Sequence, residues 1–186
     1  MLVSLPERLE AVRVGRVRVD GSDGTARVLA LLRALGSAEG VRAVLVDGAV
    51  VGGFNVLDLD ALRRATGVPV VAVTRRPPDF ARIAAALRRW FPRTADRRLA
   101  LLRRHRLVPV PTGGEPILAA ASGCGPEEAA WLVRRAAVHG FWPEPLRLAH
   151  LIASAAAARP LGSGPRRRPA RSRRRPTPRR GPSWPG

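Results

Sequence analysis

The sequence predicts an α/β layer architecture. Three observations carry that expectation: short buried-type apolar runs at residues 41–46 and 68–74, helical apolar spacing after each, and a length of 186 residues that suits one compact domain plus an extension. At 46% hydrophobic and 25% charged residues the chain is globular in composition, neither disordered throughout nor fibrous.

Val12, Val14, Val17 and Val19 alternate with Arg13, Arg16 and Arg18, slipping at Gly15-Arg16, and predict a half-exposed strand with a bulge. Asp23-Gly-Thr then precedes Val28, Leu29, Leu31, Leu32 and Leu35, closed by Gly36, which predicts a capped helix. The run at 41–46 ends at Asp47-Gly48 as a strand should. A glycine-rich loop over 49–54 leads to a short helix over 56–65, with Asn55 as its cap. Residues 68–74 read as a strand, 78–91 as a helix with proline at its start, and 95–105 as a helix capped by Thr94. Strands at 107–110 and 117–121 flank a Pro-Thr-Gly-Gly-Glu-Pro turn. Pro126 opens a helix with Glu127 and Glu128 in its first turn and Arg134 and Arg135 in its last, the order favoured by the helix dipole. A final helix covers 143–158, and some of the later strands are allowed to be antiparallel.

No run approaches the ~20 apolar residues of a membrane span, and the opening residues lack a secretion signal, so the expectation is a cytoplasmic protein with no membrane partner. One cysteine, Cys124, excludes an intrachain disulfide and a thiolate zinc cage. There is no GxSxG elbow, no P-loop and no GxGxxG, which leaves serine-nucleophile, nucleotide-triphosphatase and nucleotide-cofactor readings without support.

The formal net charge is +19, and all 33 basic residues are arginine, a lysine-free pattern that a G+C-rich genome produces without functional cause. Position says more than number. Residues 159–186 hold ten arginines, seven prolines and no acid, which predicts a disordered tail able to grip phosphates, beyond a domain at 1–158. Within that domain, residues 61–106 carry thirteen arginines against Asp79 and Asp96, while the remainder is slightly acidic. A basic flank beside carboxylates suits an enzyme that holds a polyanion.

Three acids sit where α/β proteins place chemistry. Asp47 ends a strand expected to be central, Asp20 ends the first predicted strand, and Asp23 begins the following helix. Carboxylates at strand ends can share hard ions such as Mg²⁺, which polarise a phosphodiester and activate water. In the last helix Arg147, His150 and Ser154 fall on one line bordering the apolar stripe, with Glu144 further round. His150 is the candidate for proton transfer or phosphate contact.

The runs Val19-Asp-Gly-Ser-Asp-Gly-Thr, Leu45-Val-Asp-Gly, Gly53-Phe-Asn-Val-Leu-Asp, Gly67-Val-Pro-Val-Val-Ala-Val-Thr-Arg-Arg-Pro-Pro-Asp and Pro143-Glu-Pro-Leu-Arg-Leu-Ala-His-Leu-Ile-Ala-Ser together resemble the endonuclease dU family over residues 12–157. That family is similar to endonuclease V, so the resemblance implies an RNase H-like mixed sheet flanked by helices. It further implies a metal-dependent DNA endonuclease using Mg²⁺ or Mn²⁺ and cutting deaminated DNA at deoxyuridine. On this resemblance Asp47 matches a metal-binding aspartate, and Asp20 or Asp23 the second acid, Asp23 being preferred. His150 matches the histidine of the last helix, Arg75 or Arg76 a basic residue after a strand, and Arg147 is assigned with them to nucleic acid.

The family's pattern has a further strand, carrying a Gly-Ile/Val-Asp-Asp-Gly type motif, ahead of Val19. Residues 1–11 hold no aspartate, so the expectation is an N-terminally truncated fold, or a misassigned start, with the first metal-binding acid missing and activity poor. The alternative function is a catalytically inactive nucleic-acid-binding remnant. A small-molecule binding domain ranks third, for want of a cofactor motif.

Overall fold

The structure, a computed structural model, describes residues 1–5, 8–36 and 40–158. The arginine-rich segment expected to be a disordered tail lies outside the described residues. The chain opens with an antiparallel hairpin of β1 (Leu2–Ser4) and β2 (Arg8–Ala11), separate from the main sheet. Then follow α1 (Gly24–Ala34), β3 (Val44–Asp47), a small hairpin of β4 (Val50–Val51) and β5 (Asn55–Val56), α2 (Leu59–Thr66), β6 (Val70–Thr74), α3 (Phe80–Trp90) and α4 (Ala95–Arg103). The chain continues with β7 (Val108–Val110), β8 (Ile117–Ser122), α5 (Pro126–Ala136) and α6 (Glu144–Ala158).

The main sheet has four strands in the order β3, β6, β8, β7. β3 and β6 are parallel, and β8 runs antiparallel to both β6 and β7. This is the mixed α/β architecture expected from the alternation of strand and helix patterns. Successive side chains of β6 face opposite ways, as a pleated strand requires. Val71 and Val73 join Val110, Ile117 and Ala119 under Ala129 and Val133 of α5, together with Trp142 and Leu146. On the other face Val70 and Ala72 join Val44 beneath Leu57, Leu59 and Leu62, with Val28, Leu29 and Leu32 of α1 packed alongside. β6 is thus covered on both sides, which accounts for its continuous apolar run. A third cluster, Ala84, Leu87, Ala95 and Leu99, seals α3 to α4.

Four local expectations are corrected. Residues 12–18 form no strand, although their alternation of valine and arginine has the right period. At the end of this stretch side chains take up the backbone groups of Arg18 in place of a ladder: its N–H donates to Asp23 Oδ1, and its carbonyl accepts from Asn55 Nδ2. For the same reason β3 is not central; it lies at the sheet edge, paired only with β6 among the described residues. The glycine-rich loop over 49–54 contains β4 and a three-residue turn, in which Gly52 and Gly53 take positive φ of 54° and 81°. Finally, α2 starts three residues later than expected, capped by Asp58, whose Oδ1 accepts from Ala61 N–H at 3.0 Å, while Asn55 is buried in the hairpin. Asp23 and Thr94 occupy the N-cap positions of α1 and α4 without making the side-chain cap bond.

Candidate functional site

Because β3 and β6 are parallel, their carboxyl ends open on the same side of the sheet, the usual place for a ligand in an α/β layer. Asp47 stands in register with Val73, and the Gly48 N–H donates to the Val73 carbonyl at 2.8 Å. Beyond β6 the chain turns through Thr74, whose hydroxyl donates to the Arg76 carbonyl. α6 crosses this end of the sheet. The result is a cleft of about 540 Å³ lined by Asp47, Thr74, Arg75, Arg76, Trp142, Arg147, His150 and Leu151.

Five of those residues, Asp47, Arg75, Arg76, Arg147 and His150, are ones the sequence singled out, and they come from three separate stretches of chain. Asp47 is exposed and its carboxylate makes no hydrogen bond or ion pair among the described residues. The Arg75 guanidinium lies over the Trp142 ring at 4.4 Å, a cation–π contact on an indole that is itself 92% buried. Arg147 is engaged differently. Its Nε and Nη2 both donate to the carboxylate of buried Glu144, at 2.7 and 2.5 Å. That fork neutralises Arg147, whereas Arg75 and Arg76, which line the cleft with Asp47, make no ion pair among the described residues.

Asp20 and Asp23 belong to a second constellation and do not line the cleft. Asp20 takes the left-handed conformation with φ of 56°, which aspartate tolerates better than most residues. Its N–H donates to the Gly52 carbonyl, and its Oδ1 accepts from Phe54 N–H at 2.8 Å. Its carbonyl accepts from Arg98 Nη2, and Arg98 Nη1 donates to the Phe54 carbonyl. Arg98 is almost fully buried, with its guanidinium over the Phe91 ring.

Asn55, fully buried, completes the knot. Its Oδ1 accepts from Gly24 N–H at 2.9 Å, and its Nδ2 donates to the Arg18 carbonyl at 3.0 Å and to Asp23 Oδ1 at 2.7 Å. Together these groups clamp residues 18–24 to the β4–β5 hairpin and α4. Asn55, Arg98, Trp142 and Thr74 were not assigned to a site from sequence. Arg98 looks like the twelve other arginines of its stretch, and only its burial against the Asp20 and Phe54 carbonyls distinguishes it. Trp142, next to a proline and one of only four tryptophans, carried a signal that could have been used.

The donor chemistry bears on the expected metal. Asp23 Oδ1 already accepts from Asn55 and Arg18, and Arg27 Nε stands 3.5 Å from its Oδ2, so an ion shared by Asp47 and Asp23 is not what this arrangement prepares. Among the described residues no three His, Cys, Asp or Glu side chains converge as a metal cage. The uncommitted Asp47 carboxylate does fit the other manner of holding Mg²⁺, in which one or two carboxylates share the ion with substrate phosphates and water.

A third cluster ties α2 to β8. Ser122 Oγ donates to Asp60 Oδ1, Arg104 Nη1 reaches Asp60 Oδ2 at 3.1 Å, and His105 Nε2 lies 3.2 Å from Asp60 Oδ1. The Ser122 hydrogen bond, with Arg104 and His105, holds the Asp60 carboxyl below its ordinary range. The Asn55 bond does the same for Asp23, and the Arg147 fork for Glu144. A carboxyl depressed in the fold stabilises it fully above its ordinary value and loses that contribution as pH falls through the folded value. The midpoint of urea unfolding is therefore expected to hold between pH 7 and 5 and to drop below about pH 4; a flat midpoint down to pH 3 would contradict these three assignments.

A mixed sheet flanked by helices, with an acid, arginines and a histidine gathered in one cleft at the carboxyl ends of its parallel strands, defines the class as an α/β layer protein with a charged cleft. Comparison with known proteins is more specific: the chain belongs to the endonuclease dU family, whose model matches residues 2–157. It is 38% identical over 146 residues to a UPF0215 protein of Methanothermobacter thermautotrophicus, covering 78% of this chain and 71% of that one. It is 39% identical over 140 residues to a UPF0215 protein of Thermococcus gammatolerans, covering 75% and 70%. Among solved structures, a protein of unknown function from Archaeoglobus fulgidus superposes with a TM-score of 0.67 at 31% identity, over 75% of this chain and 78% of that one. Family membership suggests a nuclease-like role and a nucleic-acid partner. No helix among the described residues is long and apolar enough to cross a membrane.

Proposed function

We propose that the chain is a metal-dependent DNA endonuclease cutting at deoxyuridine, with the cleft at the ends of β3 and β6 as its active site. The observation that supports this most is the convergence of Asp47, Arg75, Arg76 and His150 on one cleft in a member of an endonuclease family. A volume of about 540 Å³ lies within the range of sites for small ligands, about 300–1,000 Å³, so a nucleotide turned out of a duplex can be accommodated.

Arg75 and Arg76 hold a backbone phosphate, and Asp47 would share Mg²⁺ or Mn²⁺ with it. When bound, the ion supplies Lewis-acid polarisation of the phosphoryl oxygen. Hydrolysis consumes one water: its oxygen bonds to phosphorus and gives up a proton to the surrounding solvent, the bond to the leaving sugar oxygen breaks, and that oxygen takes a proton. His150 donates that proton. Arg75, its guanidinium 4.4 Å from the centre of the Trp142 ring, also offers a planar group on which an extruded base can stack.

The experiment is single-turnover cleavage, with Mg²⁺, of oligonucleotides with and without one deoxyuridine. Cutting confined to the uracil-containing strand is expected, and His150→Ala should slow it by about 10²–10⁴-fold with binding unchanged. No cutting of either strand rejects the reading. One observation favours a second reading, an inactive nucleic-acid-binding remnant: Asp47 lines the cleft, but neither candidate for its partner acid, Asp23 or Asp20, does. That reading predicts salt-sensitive DNA binding and no product.

A further inference from the structure

A second concavity, of about 350 Å³, lies at the end of α5 and is lined by Trp131, Arg134, Arg135, Ala137 and Val138. The inner face of α5 is settled, because Ala129, Val133 and Ala136 are buried in the core. At 100° per residue Trp131 points opposite to that face, with Arg134 and Arg135 at the neighbouring i+3 and i+4 positions. The indole is 57% exposed. Neither guanidinium makes an ion pair or hydrogen bond among the described residues. A solvated helix face explains the two arginines, but it gives no reason for the largest apolar side chain of the helix to stand between them.

We propose that the carboxyl-terminal end of this face, a turn beyond the exposed Glu127 and Glu128, is a second nucleic-acid contact, in which an unpaired base stacks on Trp131 and Arg134 and Arg135 hold the adjoining phosphates. Indole faces accept any base, and guanidiniums beside them supply the backbone attraction, the pairing that single-strand binding surfaces use. Charge decides among the candidate occupants. The chain's own residues 159–186 carry ten arginines and no acid, and a second copy brings a net charge of +19, so both are repelled by Arg134 and Arg135.

Position supports the same partner. Val138 of this concavity and Trp142 of the cleft are four residues apart, so the chain joining them spans at most about 14 Å. A strand leaving the cleft covers that distance within about four nucleotides at 3.4 Å each. The proposal rests on nucleic acid being the partner in the functional reading above, and does not require cleavage.

The test is the affinity of the full chain for a labelled single strand of about 12 nucleotides, read by fluorescence anisotropy at low salt. Trp131→Ala is expected to weaken binding about ten-fold. Trp131→Phe should recover most of the loss, and the Arg134→Gln, Arg135→Gln double variant should lower the salt dependence. The same Trp131→Ala loss is expected in an Asp47→Asn background. A Trp131-dependent affinity in a protein that cuts nothing supports this contact and overturns only the nuclease reading. Unchanged affinity in Trp131→Ala overturns the proposal. So does an equal loss of binding to poly-glutamate, or a Trp131→Ala shift from dimer to monomer in sedimentation, which would make the face an interface between copies.

Discussion

Asp47→Asn is expected to abolish cleavage of uracil-containing DNA, by at least 10²-fold in single-turnover rate, while leaving thermal unfolding within measurement error. Both halves follow from one observation. Asp47 is exposed and makes no hydrogen bond or ion pair among the described residues, so the fold loses nothing when its charge is removed. The amide keeps the shape of the carboxylate but cannot contribute an anionic oxygen to a hard cation. Binding should move the other way. Asp47 lines the cleft with Arg75 and Arg76, and removing a negative charge from that cleft is expected to leave DNA affinity unchanged or raise it. A variant that loses binding in proportion to cleavage would place Asp47 in substrate attachment, contrary to the role proposed.

Asn55→Ala is expected to show the largest effect on stability. Asn55 is fully buried and satisfies three groups: the Gly24 N–H, the Arg18 carbonyl and Asp23 Oδ1. Alanine leaves the buried Gly24 N–H without that partner and takes one of two donors from the Arg18 carbonyl and from Asp23 Oδ1, so the loss should be about 1–3 kcal/mol. Against a typical total of about 5–15 kcal/mol this is a large fraction, readable as a lower urea midpoint. Asn55→Asp should be no better, because it retains an acceptor for Gly24 but sets a second carboxylate against Asp23. Space around the amide is equally restricted: a Cβ on Gly24 would lie 2.8 Å from Asn55 Oδ1. A loss under about 1 kcal/mol would mean that water replaces the amide and that the clamp is not closed.

The contrast between the cleft around Asp47 and the knot around Asp20 and Asp23 shows how far the sequence could be read. β6 and β8 were legible because a doubly covered strand must be a short apolar run, and the mixed sheet followed from the alternation of patterns. Asp47, Arg75, Arg76, Arg147 and His150 were legible as candidates because polar groups directly after a strand, or along the edge of an apolar helical stripe, have few structural tasks. Asp20 and Asp23 looked the same from outside. Their difference is tertiary: each is engaged by a group 32–34 residues away in sequence, on Asn55 and Phe54, which no local pattern announces. The valine–arginine alternation over 12–19 failed as a strand for a related reason. Period two describes which side chains face inward, and it does not supply a neighbouring strand; here Asn55 and Asp23 take up backbone groups that a ladder would have used. Asn55 itself was read as a helix cap because asparagine before a helix usually is one, whereas Asp58 holds that post.

The central claim, that DNA is held in the cleft at the ends of β3 and β6, is tested most directly by hydrogen exchange. The full chain carrying Asp47→Asn, which should bind without cutting, is compared with and without a duplex containing one deoxyuridine. The account predicts slowed exchange at residues 47–49, 74–76 and 142–151. Protection confined to α3 and α4, with exchange around Asp47, Arg75 and His150 unchanged, would contradict it.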